Sequence, residues 1–322
     1  MAKSPRTKPD VFEKASELKT PGQWLSFTEK LYVKHKLALG QVSDNAHDEA
    51  LYLILFTLKI PMDSDTSVLE RKLKISEVKA LTEVFRKRIL EHIPAGYLTK
   101  EAWLGDYGFY VDERVLIPRS YFLEIIPYLD LLTGLKNPPK QMVDVCTGSG
   151  CLAILLAHAF PHAQVDAIDL SEAALDVAKI NITNHDLKKR ISLYRSDVFD
   201  SLPKKKYDLI LSNPPYEPST HVDQLPKEFH HEPRLALDGG EDGLAIIRKL
   251  LIQSATRLAS HGSILIEVGG LHEAINKEFK ALKPIWLSTA DGSNCICMFK
   301  AEHLKELKTT SLNRKERNPK VN

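Results

Sequence analysis

Asn213, Pro214, Pro215 and Tyr216 follow an apolar run, Asp208-Leu209-Ile210-Leu211, that reads as a buried strand. An amide, two prolines and an aromatic ring at a strand's C-terminal end suit one kind of chemistry. A planar NH2 group conjugated to a π-system, such as a carboxamide or an aromatic amine, is a poor nucleophile because its lone pair is delocalised. Two acceptors aimed at its two hydrogens would orient it and favour positive charge on nitrogen. The Asn213 side-chain oxygen and the Pro214 carbonyl supply such a pair, and the fixed φ of Pro214 and Pro215 sets the carbonyl in advance. Tyr216 offers a flat face for the planar group. If the electrophile meeting that nitrogen is already activated, no Lewis acid is needed, and proximity and preorganised dipoles suffice. The nitrogen's proton, once acidic, is lost to water, so His221, His230 and Glu232 are not required as bases.

Upstream, "VDVCTGSGC" puts Gly148 and Gly150 where one strand turns into a helix, and Asp169 ends the next strand. That is the position that commonly holds a ribose hydroxyl pair. Gly148 to Ala153 also fits the dinucleotide fingerprint, which leaves a nicotinamide-dependent oxidoreductase as a competing reading. Asp144, inside the first strand, could order the loop or meet the ammonium of a methionine moiety. Asp197, after the third strand, could accept from an adenine amine. Together these carboxylates favour S-adenosylmethionine, since the C-terminal edge of an open α/β sheet is where ligands bind.

Elements must hold these residues at one edge. From Lys140 onward strands and helices alternate: strands at 141–146, 163–170, 191–197, 207–213 and 263–269, helices at 151–160, 171–185 and 243–260, and two further strand candidates at 284–290 and 294–300. This predicts a doubly wound, largely parallel α/β sheet. Before it, residues 1–95 read as a small helical domain. Thr20 caps a helix with Pro21 at its first position, a second runs from Asp48 to Leu58, and Ser76 caps a third. In that third helix Val78, Leu81, Phe85 and Ile89 form the apolar stripe, and Arg86, Lys87 and Arg88 are expected on a solvated face. Residues 96–117, rich in aromatic and β-branched types, read as a linking β-hairpin. Residues 118–304 form the catalytic domain, and 305–322 a basic tail expected to be disordered.

Lysine and arginine (44) nearly balance aspartate and glutamate (42), so the basic excess of an obligate DNA binder is missing. No apolar run reaches membrane-spanning length and no secretory signal opens the chain, which predicts a cytoplasmic protein. The spacing of Cys146, Cys151, Cys295 and Cys297 matches no common zinc framework, so reduced thiols and no metal are expected.

Several motifs in order, "IPAGYLT", "VDERVLIPRS", "DVCTGSGC", "IDLS", "SNPPY" and "HEPRLALDGGEDGL", make residues 45 to 300 resemble the HemK/PrmB family of protein glutamine methyltransferases. The resemblance implies a Rossmann-like class I methyltransferase sheet of seven strands, a helical substrate-recognition domain and a β-hairpin. It implies methyl transfer from S-adenosylmethionine, with S-adenosylhomocysteine as product, to a glutamine amide nitrogen. By motif, Asp144, Thr147, Gly148, Ser149, Gly150, Asp169, Leu170, Asp197, Val198 and Asn213 would bind the cofactor, and Asn213 to Tyr216 the glutamine. The release-factor branch carries Pro-Arg-Pro-Asp-Thr-Glu, whereas this chain has Pro118-Arg119-Ser120, with Glu124 one place late. Pro-Arg-Ser resembles the branch acting on large-subunit ribosomal protein three (uL3). The expected partner is therefore uL3, free or in an assembly precursor, with local RNA contact and neither DNA nor membrane. Glutamine methylation of release factors and adenine-amine methylation of DNA or RNA stand as alternatives.

Overall fold

A computed structural model of the chain describes residues 10–305 and 307. It divides into two compact units. One is helical, runs up to Glu101 and also takes in Pro226–His231; the other holds Ala102–Leu225 and the chain from Glu232 onward. The basic tail expected at 305–322 lies outside the described residues apart from 305 and 307.

In the helical unit the local signals act at the helix ends. Helix α1 (Pro21–His35) starts at Thr20, whose hydroxyl accepts from the Gln23 N–H, and closes on Lys36 in the left-handed region. Helix α2 (Ala46–Leu58) starts two residues earlier than expected, because the Asn45 side chain takes the Asp48 N–H at 2.8 Å. Helix α3 (Ile75–Leu90) corrects the expected Ser76 cap: Ser76 lies inside the helix, and the Glu77 carboxylate accepts from the Lys74 N–H while Arg71 grips it. Trp24, Leu53, Ile54, Leu81, Phe85 and Ile89 form a closed core, with the Trp24 and Phe85 rings stacked at 5.9 Å. Arg88 departs from the expected solvated face. It is wholly buried, donating to Glu49 at 2.6 Å, to Glu228 at 3.3 Å and to the Ala38 carbonyl at 2.8 Å. Residues expected to begin the hairpin instead make a one-turn helix α4 (Ala95–Thr99) that follows Pro94. The hairpin itself is shorter, β1 (Glu101–Leu104) paired with β2 (Tyr107–Tyr110).

In the larger unit two short helices, α5 (Phe122–Ile125) and α6 (Leu129–Thr133), lead into the sheet. Its strands are β3 (Gln141–Val145), β4 (Gln164–Asp169), β5 (Ile191–Arg195), β6 (Tyr207–Ser212), β7 (Leu258–Glu267), β8 (Ile285–Leu287) and β9 (Ile296–Lys300). They pair in the order β5-β4-β3-β6-β7-β9-β8. The first five are parallel; β9 runs antiparallel between β7 and β8. Helices α7 (Cys151–Ala159), α8 (Glu172–Asn184), α9 (Ser219–Val222), α10 (Ala245–Arg257) and α11 (His272–Glu278) supply crossovers and covers. Parallel strands buried on both faces read as continuous apolar runs, and Val143, Val145, Ile210, Ile264 and Ile266 are fully enclosed here. Strand β7 starts at Leu258, ahead of the His261-Gly262 turn expected from sequence. Gly262 fits inside the strand because a Cβ there would lie 2.9 Å from the Tyr207 and Asp208 carbonyls. Strand order reverses at β3, between β4 and β6, which opens a crevice at the strands' C-terminal ends.

Candidate active site

The loop after β3 turns through Cys146, Gly148 and Gly150, all at positive φ. Gly148 (φ +54°) adopts it without the penalty a side chain would add. Its N–H donates to Asp169 at 2.8 Å, and Ser171 N–H donates to the other Asp169 oxygen at 2.8 Å. Burial pushes the Asp169 carboxyl above its usual range. Asp144 works behind the loop: one oxygen accepts from the Thr147 hydroxyl at 2.6 Å and the Ala153 N–H at 3.1 Å. Its other oxygen is buried with no partner, and burial raises its pKa to about 7. Asn181 of α8, which the sequence reading did not single out, ties the loop to the hairpin by donating to the Ser149 and Tyr110 carbonyls and accepting from the Tyr110 N–H.

A cavity opens at this edge. Cys146, Gly148, Asp169, Leu170, Asp197, Val198 and Asn213 line it, so seven residues from four separate stretches meet there. Asp144, Thr147, Ser149 and Gly150 do not line it; they build the loop from behind. Val145, Pro233, Leu235 and Ile246 make apolar walls, with Arg114 at the cavity as well, held by two hydrogen bonds to Asp112. Val198 is buried at φ +55°, a position a β-branched residue rarely takes, so backbone strain is stored beside the cavity. The fit follows from the donor set. Asp169 has acceptor capacity beyond its two N–H partners, enough for a vicinal hydroxyl pair. Asp197 offers an acceptor to a heteroaromatic amine, and the apolar walls offer it a slot.

The Asn-Pro-Pro-Tyr element sits at the end of β6. Asn213 and Pro215 line the cavity; Pro214 and Tyr216 do not. The element is buttressed by glycines. At Gly239 a Cβ would lie 2.8 Å from the Pro215 carbonyl, at Gly243 it would strike the Tyr216 carbonyl, and at Gly269 it would lie 2.5 Å from the Tyr216 ring. The backbone also pairs, Glu217 N–H to Leu237 carbonyl and Gly239 N–H to Glu217 carbonyl. The "LALDGGEDG" stretch is thus the wall against which the element is pressed, and the Tyr216 ring lies on Gly269.

Two further motifs meet each other. Arg119 donates to both oxygens of Glu232 at 2.6 and 2.7 Å, and Ile117 N–H adds a third bond. Glu232, weighed from sequence as a base, is buried in that grip. His221 is exposed and paired with Glu217. Glu124 lies on an exposed face, accepting from the Ala290 N–H, and does not line the cavity. The residue that sequence reasoning missed is Glu267, which closes β7. It is buried and accepts from the Ser120 hydroxyl at 2.5 Å, the Tyr121 N–H at 3.1 Å and the Asn213 side-chain NH2 at 3.1 Å. Burial lifts its pKa to about 7. Its only sequence signal was a carboxylate ending the apolar run "SILIE".

Residues 130–285 match the methyltransferase small domain family. The catalytic domain of hMettl16 in complex with the MAT2A 3'UTR hairpin 1 aligns at 17% identity, over 72% of this chain and 83% of that one, with a TM-score of 0.48. The ribosomal protein uL3 glutamine methyltransferase of Neisseria gonorrhoeae is 42% identical over 295 residues, 90% of this chain and 97% of that protein. That of Burkholderia pseudomallei is 42% identical over 279 residues, 84% of this chain and 90% of that protein. With identity at this level running through both units and nearly the whole of each relative, the chain belongs to the family of ribosomal protein uL3 glutamine methyltransferases.

Proposed function

We propose that the chain methylates the side-chain amide nitrogen of a glutamine in ribosomal protein uL3, with S-adenosylmethionine as donor. The observation that carries the reading is that Asn213 faces the same cavity as Gly148, Asp169 and Asp197. Asp169 would take the ribose hydroxyls, Asp197 the adenine amine, and the backbone at Gly148 and Val198 would shape the slot. Asp144, with Thr147, Ser149 and Gly150, would keep the loop in register. When bound, the cofactor supplies an electrophilic sulfonium methyl.

The rest falls to the protein. The Asn213 side-chain oxygen and the Pro214 carbonyl would accept from the two glutamine N–H groups, holding the nitrogen in line. With the nitrogen so held, the cofactor would supply the methyl, its sulfur keeping the electron pair of the broken bond, and the amide would release an N–H proton to water. Acceptors fixed in place before the reaction cost no reorganisation as charge develops. Pro215 stiffens the turn and Tyr216, backed by Gly269, limits where the planar amide lies. We assign the helical unit to recognition of the ribosomal protein and the activity to the cytoplasm, where ribosomes assemble.

The test is label transfer from methyl-labelled S-adenosylmethionine to four acceptors: free uL3, a large-subunit precursor, a peptide release factor and an adenine-containing single strand. Mass spectrometry should place a single added methyl on one uL3 glutamine. Label on the release factor or on adenine, with none on uL3, would replace this reading by the corresponding alternative.

A further inference from the structure

Asn213 can present either end of its amide to a substrate, and only one end is useful. An NH2 facing a substrate NH2 sets donor against donor. The local sequence does not choose, since a proline-rich turn leaves the amide free to rotate about its last torsion. The choice is made by the group on the far side. An ionised carboxylate only accepts, so the amide must give it NH2 and turn its oxygen away. Glu267 is that group, 3.1 Å from the Asn213 nitrogen. Among the described residues the Asn213 side-chain oxygen has no hydrogen-bond partner, and the residue lines the cavity.

Resting on the amide-methylation reading above, we propose that Glu267 is a positioning residue: it sets the Asn213 amide with oxygen toward the substrate. Its other oxygen is anchored by the Ser120 hydroxyl and the Tyr121 N–H. Ser120 is the residue at which the Pro-Arg-Ser stretch departs from Pro-Arg-Pro, and a proline there would have no hydroxyl to give. Protonated Glu267 can donate, which allows the amide to turn over and present NH2. The charged and titratable groups that act on Glu267 or feel it are Arg119, Tyr216, Cys151 and Cys295. Burial opposes the ionised form and brings the pKa to about 7, while the hydrogen bonds from Ser120, Tyr121 and Asn213, and then the Arg119 charge, favour it. Methyl transfer should therefore weaken as pH falls through 7.

The experiment compares wild type, Glu267→Gln and the pair Asn213→Asp with Glu267→Gln. In Glu267→Gln the new oxygen takes Ser120 and Tyr121, and the new NH2 meets Asn213 donor to donor, so Asn213 turns its NH2 to the substrate. The expected loss in kcat is about 100-fold, with S-adenosylhomocysteine binding by calorimetry within about threefold and the acid limb near pH 7 gone. In the pair, the introduced glutamine donates to the introduced aspartate and an acceptor again faces the substrate, so kcat should recover at least about tenfold over the single variant. A merely structural role would give no such recovery. Retention of kcat within about threefold in Glu267→Gln, or a pair no better than the single variant, overturns the proposal. Should Glu267→Gln fail to fold, Ser120→Ala decides: it removes one donor from the carboxylate, so the acid limb must move to higher pH, and an unmoved limb overturns the proposal. An inactive wild type on uL3 would instead count against the function proposed above.

Discussion

In the helical unit Arg88 is wholly buried among Glu49, Glu228 and the Ala38 carbonyl, and His92 reaches Glu228 at 2.9 Å. In the larger unit Asp144 and Glu267 are also buried, but among the described residues their hydrogen-bond donors are hydroxyl, amide and backbone N–H groups. The consequences for ionisation are opposite. Burial works against the Glu228 charge, but His92, a backbone N–H and Arg88 outweigh it and its carboxyl titrates below the usual range. For Asp144 and Glu267 burial wins, and both reach about 7. Buried charge matched by charge is structural cement that is costly only when one partner is lost. Buried charge matched by neutral donors is left responsive to protons and to a cationic ligand. The second kind sits on β3 and β7, at the loop and the amide that face the cavity.

The largest effect expected from breaking this contrast is on the paired side. Arg88→Met strands Glu49 without a cation, leaves Glu228 to His92 alone, and should cost about 3–5 kcal/mol in urea unfolding. Making both glutamates Gln as well should return most of it; no recovery would mean that Arg88 acts by packing alone. On the unpaired side the perturbation is pH. Between the usual carboxylate range and pH 7 the folded state holds more protons at Asp144 and Glu267 than the unfolded state does, so stability falls as pH rises through that window. The loss from Asp144 should be on the order of 4 kcal/mol by pH 8, read as a falling melting temperature, and Asp144→Asn should flatten the slope. Glu228 works the other way: its contribution is complete above the usual carboxylate range and disappears as pH falls through its own lowered value. Acid should therefore loosen the helical unit first, which hydrogen exchange resolved by segment would detect.

A smaller effect tests whether the Asn-Pro-Pro-Tyr element depends on backbone approach rather than charge. Gly243 has φ +77° and no room for a Cβ beside the Tyr216 carbonyl. Gly243→Ala should cost about 1–3 kcal/mol from backbone strain and lower kcat with cofactor affinity little changed; an unaltered rate would release the glycine wall from any role in positioning. The smallest effect belongs to the exposed pair of Arg195 and Glu172, at 63% and 73% side-chain exposure. Solvent screens it, so Arg195→Ala should leave the melting temperature unchanged.

Much of the architecture was legible because its signals are local. The cap at Thr20, the apolar runs of β3, β4 and β6, and the glycine turn at 148–150 each depend on residues within a few positions of one another. What went astray was long-range or depended on a competing local choice. Arg88 looked solvated because nothing in its own helix announces Glu49, 39 residues away, or Glu228, 140 away. Ser76 looked like a cap because hydroxyls cap helices, yet Arg71 holds Glu77 where it takes the orphan N–H first. Glu267 passed unnoticed because its partners, Asn213 and Ser120, are 54 and 147 residues off.

The sequence by itself determined the alternation of strands and helices, the glycine turn proposed to receive a nucleoside, and the residue types able to hold an amide nitrogen. These follow from periodicity, from the fixed φ of proline and from the freedom of glycine. Which way the Asn213 amide points, which carboxylates keep their protons and which glycines let backbone press on backbone were decided only by tertiary structure. Those properties belong to the space between segments distant in the chain, where burial and the identity of the facing group set the energy.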